Sequence, residues 1–167
     1  PLPVSGLSMR VSAAPFMGTA SNASVVVIVE MLGRDLTLEA NNKVQVSFQA
    51  SDVVTNKVQG ARNLAITLDL QPDTRARVEQ TGIRLLNRME LLPGRYQLRV
   101  AARDPVKANV GAVTYDLEVP DFAKVPVGLS GLMVTSLAGA AKVARRCQGG
   151  DVARRAAIRW CETRRRA

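Results

Sequence analysis

The chain contains no histidine. That absence removes Ser-His and Cys-His nucleophilic pairs, imidazole general bases and His-ligated metals together. Cysteine is almost missing: Cys147 and Cys161 are the only two, and their spacing matches neither a zinc site nor a CxxC redox motif. They could close one disulfide, but little in a C-terminal extension would hold the geometry a disulfide needs, so free thiols are expected. Aromatics amount to 4% of the residues, so the core must rest on Val, Leu, Ile and Met. No apolar run reaches the ~20 residues that a membrane-spanning helix requires. The first residue is Pro1, and no charged segment followed by an apolar one comes after it, so no signal peptide is visible. We read the chain as a fragment of a longer protein, or as a processed or trimmed form. Phosphate-binding loops are missing as well, because "PGRYQ" and "CQGGD" have neither the Walker spacing nor its lysine.

What is present is alternation. Leu7, Met9, Val11 and Ala13 alternate with polar residues, as do Val44, Val46, Phe48 and Ala50, and Leu64, Ile66, Leu68 and Leu70 alternate with Ala65, Thr67 and Asp69. Ile83, Leu85, Met89 and Leu91 continue on one face of the next stretch. "LLPGRYQLRVAARD" (91–104) sets Tyr96, Leu98, Val100 and Ala102 against Arg95, Gln97, Arg99 and Ala101, and a last stretch carries Val113, Tyr115, Leu117 and Val119. "VVVIVEM" (25–31) is apolar on both sides, as suits a central strand. Period two means a strand with one face buried, so seven strands are expected, separated by turn residues. One short helix is expected in "QPDTRARVEQTG", capped or opened by Asp73 and ended by Gly82. Seven short strands without alternating long helices predict an all-β chain, an antiparallel sandwich of immunoglobulin or fibronectin type III kind, over residues 1–136.

Within that fold "PGRY" has a specific meaning. Pro93 and Gly94 make a tight turn, and Tyr96 follows near the start of the sixth strand. A tyrosine there packs its ring in the core where the chain crosses between sheets, and its hydroxyl bonds back to upstream backbone. The alternative is an ordinary inward tyrosine. The last two strands should form a hairpin over "DPVKAN". A turn centred near Lys107 sets Arg99 opposite Asp116 and Gln97 opposite Glu118, and keeps both apolar sets on one face. Leu129, Leu132 and Val134 are expected to cover a sheet edge.

"LLPGRYQLRVAARD", "VGAVTYDLEVPDF" and "LSGLMVTS", in that order, resemble the sandwich region that follows the metal-binding domain of bacterial von Willebrand factor type A-related proteins. The likeness spans about Leu7 to Ser136 and is densest from Thr81. It implies an exported or cell-envelope protein, with other domains of a longer chain or another protein as partners. The Asp-x-Ser-x-Ser metal site of the A-type domain has no counterpart in this sequence, so no metal-dependent adhesion is assigned to any residue here. No cofactor is expected.

The resemblance stops after Ser136. Residues 1–136 hold 14 Lys and Arg against 12 Asp and Glu, whereas residues 137–167 hold 9 against 2. The formal charge of +9 therefore belongs mostly to the tail. Ala, Arg and Gly make up 19 of its 31 residues, a composition that a GC-rich gene yields when read out of frame. From Asp151 a helix would gather Val152, Ala156 and Trp160 on one side. Nucleic acid or an anionic surface could then be contacted only through this tail, by Arg145, Arg146, Arg154, Arg155, Arg159, Arg164, Arg165 and Arg166. A short isolated helix is marginal in water, so the expectation is a tail outside the fold.

Carboxylate chemistry finds little support. Asp35/Glu39 and Asp116/Glu118 are the nearest pairs, and the second shares a strand face, as a glycosidase dyad could. Solvated charges offsetting Arg95, Arg99 and Arg103 explain it better. "ASDVVTN" and "RDPVKAN" have too few carboxylates for a persuasive calcium loop. The sequon at Asn22 matters only in a eukaryotic secretory route. A non-enzymatic accessory domain, acting as a spacer or a protein–protein contact module through edge strands and loops, is the expected function.

Overall fold

Each alternating stretch becomes a strand. In the computed structural model, which describes residues 6–19, 21–124 and 129–133, the strands are β1 (Met9–Met17), β2 (Ala23–Met31), β3 (Asn42–Asp52), β4 (Val58–Leu68), β5 (Ile83–Leu91), β6 (Gly94–Asp104) and β7 (Asn109–Val119). They form two sheets, in the orders β1-β2-β5 and β4-β3-β6-β7, with every pair antiparallel. The chain is all-β, built as a two-sheet sandwich with one α-helix among the described residues.

The core follows from the pleat. Val25, Val27 and Val29 of β2, Val44, Val46 and Phe48 of β3, and Leu98 and Val100 of β6 are fully buried members of one cluster. Their neighbours Gln45, Gln49, Gln97 and Arg99 are exposed. β2 sits at the centre of its sheet and is nearly buried on both faces, with Ile28 on its outer face only 6% exposed. Asn87 is a polar exception on the inward face of β5; it is buried and its Nδ2 has no hydrogen-bond partner.

The helix α1 (Pro72–Thr81) joins β4 to β5. Pro72 opens it, where a missing N–H costs nothing, and Asp73 lies in its first turn. Gly82 ends it with φ 79°, donating its N–H to the Val78 carbonyl at 2.8 Å. A Cβ there would stand 2.3 Å from the Met31 carbonyl oxygen, so only glycine fits.

The β6–β7 hairpin departs from the expected register. Arg99 faces Thr114 and Gln97 faces Asp116, while Glu118 faces Arg95. Asp104 is the cause. Its Oδ1 accepts from the Val106 N–H at 2.9 Å, Ala108 takes the left-handed conformation at φ 56°, and the ladder closes at Asp104 opposite Asn109. The turn is therefore centred between Val106 and Lys107. A two-residue change of register leaves every side chain on its original face, so Tyr96, Leu98 and Val100 still share a face with Leu117, Tyr115 and Val113.

A second expectation is also corrected. Leu129 and Leu132 are 92% and 88% exposed and cover nothing. The segment meets β1 through backbone instead: Gly131 donates its N–H to the Pro15 carbonyl at 2.7 Å, and a Cβ on Gly131 would stand 2.7 Å from that of Ala14. Val134, both cysteines, the boundary at Ser136 and the tail arginines Arg145, Arg146, Arg154, Arg155, Arg159, Arg164, Arg165 and Arg166 lie outside the described residues.

Candidate contact site: the β3–β4 hairpin and its free edge

The "PGRY" corner is where the chain leaves one sheet for the other, since β5 belongs to the first and β6 to the second. Pro93 makes the turn, and Gly94 begins β6 opposite Val119. Tyr96 is 2% exposed, and its hydroxyl donates to the Leu92 carbonyl at 2.9 Å. Burial raises the pKa of that hydroxyl, and the charge of Asp52 raises it further, so it stays a donor.

Asp52 lies directly across the ladder from Tyr96 and organises the next element. Its Oδ1 accepts from the backbone N–H groups of Val54 at 3.0 Å and Thr55 at 2.7 Å, and from the Thr55 hydroxyl at 2.9 Å. Hydrogen bonds from Thr55 hold its carboxyl below the usual aspartate range. The loop is closed by Asp52 N–H to the Lys57 carbonyl at 2.9 Å and tied to the corner by Val53 N–H to the Arg95 carbonyl at 3.0 Å. This fixed tip holds apolar side chains in water: Val53, Val54 and Val58 are 50%, 84% and 53% exposed. Water-facing valines on a braced turn mark a contact surface more readily than scattered ones do.

β4 runs on from this tip as an edge strand. The Val53–Arg95 bond shows which way the backbone of β3 points: its odd-numbered residues bond to β6 and its even-numbered ones to β4. The even residues of β4 therefore pair with β3, through Asn42–Leu68, Val44–Ile66, Val46–Leu64 and Phe48–Arg62. Ala61, Asn63, Ala65 and Thr67 turn their N–H and C=O groups outward. Among the described residues none of these groups has a backbone partner beyond its own strand pair.

The other edges are protected. On β1, Pro15 has no N–H to offer at an outward position, and Gly131 occupies its carbonyl. The Leu7 N–H donates to the Val110 carbonyl at 3.1 Å, stitching the start of β1 to β7, and Asp116 and Glu118 stand farther along β7. β5 carries Arg84, Arg88 and Glu90 at its outward positions. Charges and prolines at these places are how sheets avoid adding foreign strands. β4 has none of these devices at its four outward positions.

The remaining candidates have structural roles. Asp104 is fully buried. Its Oδ2 accepts from the Thr37 N–H and its Oδ1 from Asn42 Nδ2 at 3.3 Å, so it locks the β2–β3 connection to the β6–β7 hairpin. Burial alone would raise its pKa, but the bonds from Thr37 and Val106 outweigh it and hold the carboxyl below the usual range. Asp35 accepts from the Ser8 N–H at 2.9 Å, and Glu39 is exposed. Asp116 and Glu118 point outward on β7. Among the described residues no three Asp, Glu or Cys side chains come together. Two shallow recesses lie on the surface, of about 250 Å³ beside Met17 and Phe122 and about 360 Å³ beside Thr37, Glu39, Glu79 and Lys107.

The sequence points to the corner and to edge strands as contact surfaces, but not to which edge lies open. Small uncharged residues at 61, 63, 65 and 67 are a visible signal, but one with meaning only once β4 is known to lie at the edge. No protein-family model, no curated protein and no solved structure matches the chain.

Proposed function

We propose that this domain is a non-enzymatic accessory β-sandwich of fibronectin type III kind, serving as a protein–protein contact module in an exported bacterial protein of the von Willebrand A-related type. The fourth strand lies in the sheet of the third, sixth and seventh, where a constant-type immunoglobulin domain would have it join the first sheet. The observation that carries the contact reading is the asymmetry of the edges. The β1/β7 side is stitched and charged, while the β4 edge has no backbone partner among the described residues and lies beside the apolar tip of Val53, Val54 and Val58. An extracellular or cell-envelope location and the A-type neighbour rest on the resemblance of "PGRYQLRVAARD" and the segments that follow it.

The full reading frame tests the family reading. A metal-binding domain with an Asp-x-Ser-x-Ser site is expected ahead of Pro1, and an unrelated sequence there would overturn it. Calorimetric titration of this chain with that neighbouring domain tests the contact reading. Val54→Asp should weaken the association about tenfold or more, by placing a charge in the apolar contact. Wild-type affinity in Val54→Asp would contradict it.

A further inference from the structure

Resting on the contact reading, we infer that β4 accepts an extended segment of a partner protein as a fifth, antiparallel strand, and that the segment carries apolar-x-apolar-x-acidic side chains on its inward face. The backbone argument comes first. Ala61, Asn63, Ala65 and Thr67 present a row of donors and acceptors at the spacing of a ladder, and their side chains are small and uncharged, so another backbone can approach. Every ladder among the described residues is antiparallel, which sets the expected direction.

Side chains on the other face of β4 set the specificity. Leu64 and Ile66 are half-buried members of the core's margin on this edge strand, so part of each still faces solvent. Arg62 is exposed on the same face and forms no ion pair among the described residues. On an added antiparallel strand, the residues opposite Ile66, Leu64 and Arg62 follow in that order, two apart. Apolar side chains at the first two positions extend the core, and a carboxylate at the third meets the guanidinium. The residues between them face outward beside Ala61, Asn63, Ala65 and Thr67 and can be of any small or polar type. A second copy of β4 fits less well, because its inward positions, Val58, Gly60, Arg62, Leu64, Ile66 and Leu68, supply no carboxylate for Arg62 in any register.

The test is a displayed library of short random peptides selected on the full chain. Enriched peptides should show the apolar-x-apolar-x-acidic alternation and slow the amide exchange of residues 61, 63, 65 and 67. N-methylation of the peptide residues that pair with β4 should weaken binding about tenfold or more, while N-methylation of the inward-facing residues should leave it unchanged. This readout needs no change to the protein. Ala65→Pro, which removes an outward N–H as Pro15 does on β1, should lower affinity similarly, and Arg62→Glu should replace the selected acid by a base. Peptides without the alternation, or protection at the tip valines and not along β4, would overturn strand addition while leaving the contact reading in place. Loss of binding in Val54→Asp with no selectable peptide would do the same.

Discussion

The Tyr96 hydroxyl and the Leu92 carbonyl, 2.9 Å apart, tie the sixth strand to the turn that brings the chain across from the other sheet. Four residues separate them, so the bond closes a tight loop around Pro93 and Gly94. The corner in turn carries Asp52 and the β3–β4 tip. Tyr96→Phe removes this part-buried hydrogen bond and should cost about 1 kcal/mol in chemical denaturation. Leu98→Ala, in a fully buried side chain of the same strand, should cost ~2 to 5 kcal/mol. A stable Leu98→Ala variant would mean that β6 faces the other way.

Asp104 should give the protein an acid-sensitive step. Its folded pKa lies below its unfolded one, so its contribution to stability is present above the unfolded value and is lost as pH falls through the lower folded value. Asp104→Asn should therefore be less stable than the parent near neutral pH, and the difference should shrink as the pH drops below the ordinary aspartate range. Urea melts at several pH values measure this. A constant difference across the series would show that the carboxylate charge contributes nothing.

The hairpin register is separately testable. Because Arg99 faces Thr114, cross-strand Hα contacts should join Arg99 to Thr114 and not to Asp116, its diagonal neighbour. Arg95 and Glu118 are directly opposite, but both are exposed, and their coupling should stay below ~1 kcal/mol. Hα contacts joining Arg99 to Asp116 would restore the register with the turn centred at Lys107.

Gly82 is required by backbone conformation and by space. Its φ is 79°, and a methyl carbon added there would overlap the Met31 carbonyl oxygen. Gly82→Ala should destabilise by more than the ~1 kcal/mol that positive φ alone implies, with a lower thermal midpoint. An unchanged midpoint would mean that the α1–β5 junction relaxes freely.

The strands were legible because alternation is a physical demand of a half-buried sheet, and the corner was legible because Pro-Gly followed by an inward tyrosine has few uses. Register was legible only in its parity. Apolar faces must agree, which excludes one-residue slips, but a two-residue shift satisfies the same pattern, and the side chain of Asp104 decides between them. Asn87 could not be placed, because a buried polar residue breaks the pattern that identifies its strand. The exposure of Leu129 and Leu132 was hidden for the opposite reason, since apolar spacing says nothing about whether a face is met. The β4 edge needed the sheet order, which depends on contacts far apart in the chain.

Residue-resolved amide exchange on the full chain is the most direct test of the open edge. Arg62, Leu64 and Ile66 point their N–H groups at β3 and should exchange slowly, while Ala61, Asn63, Ala65 and Thr67 should exchange near the rate of unstructured backbone. That alternation, on β4 and absent from β3, is the predicted result. Protection at all seven positions would show the edge already occupied, and fast exchange at Leu64 and Ile66 would show that β4 is not held in the sheet; either would contradict the account.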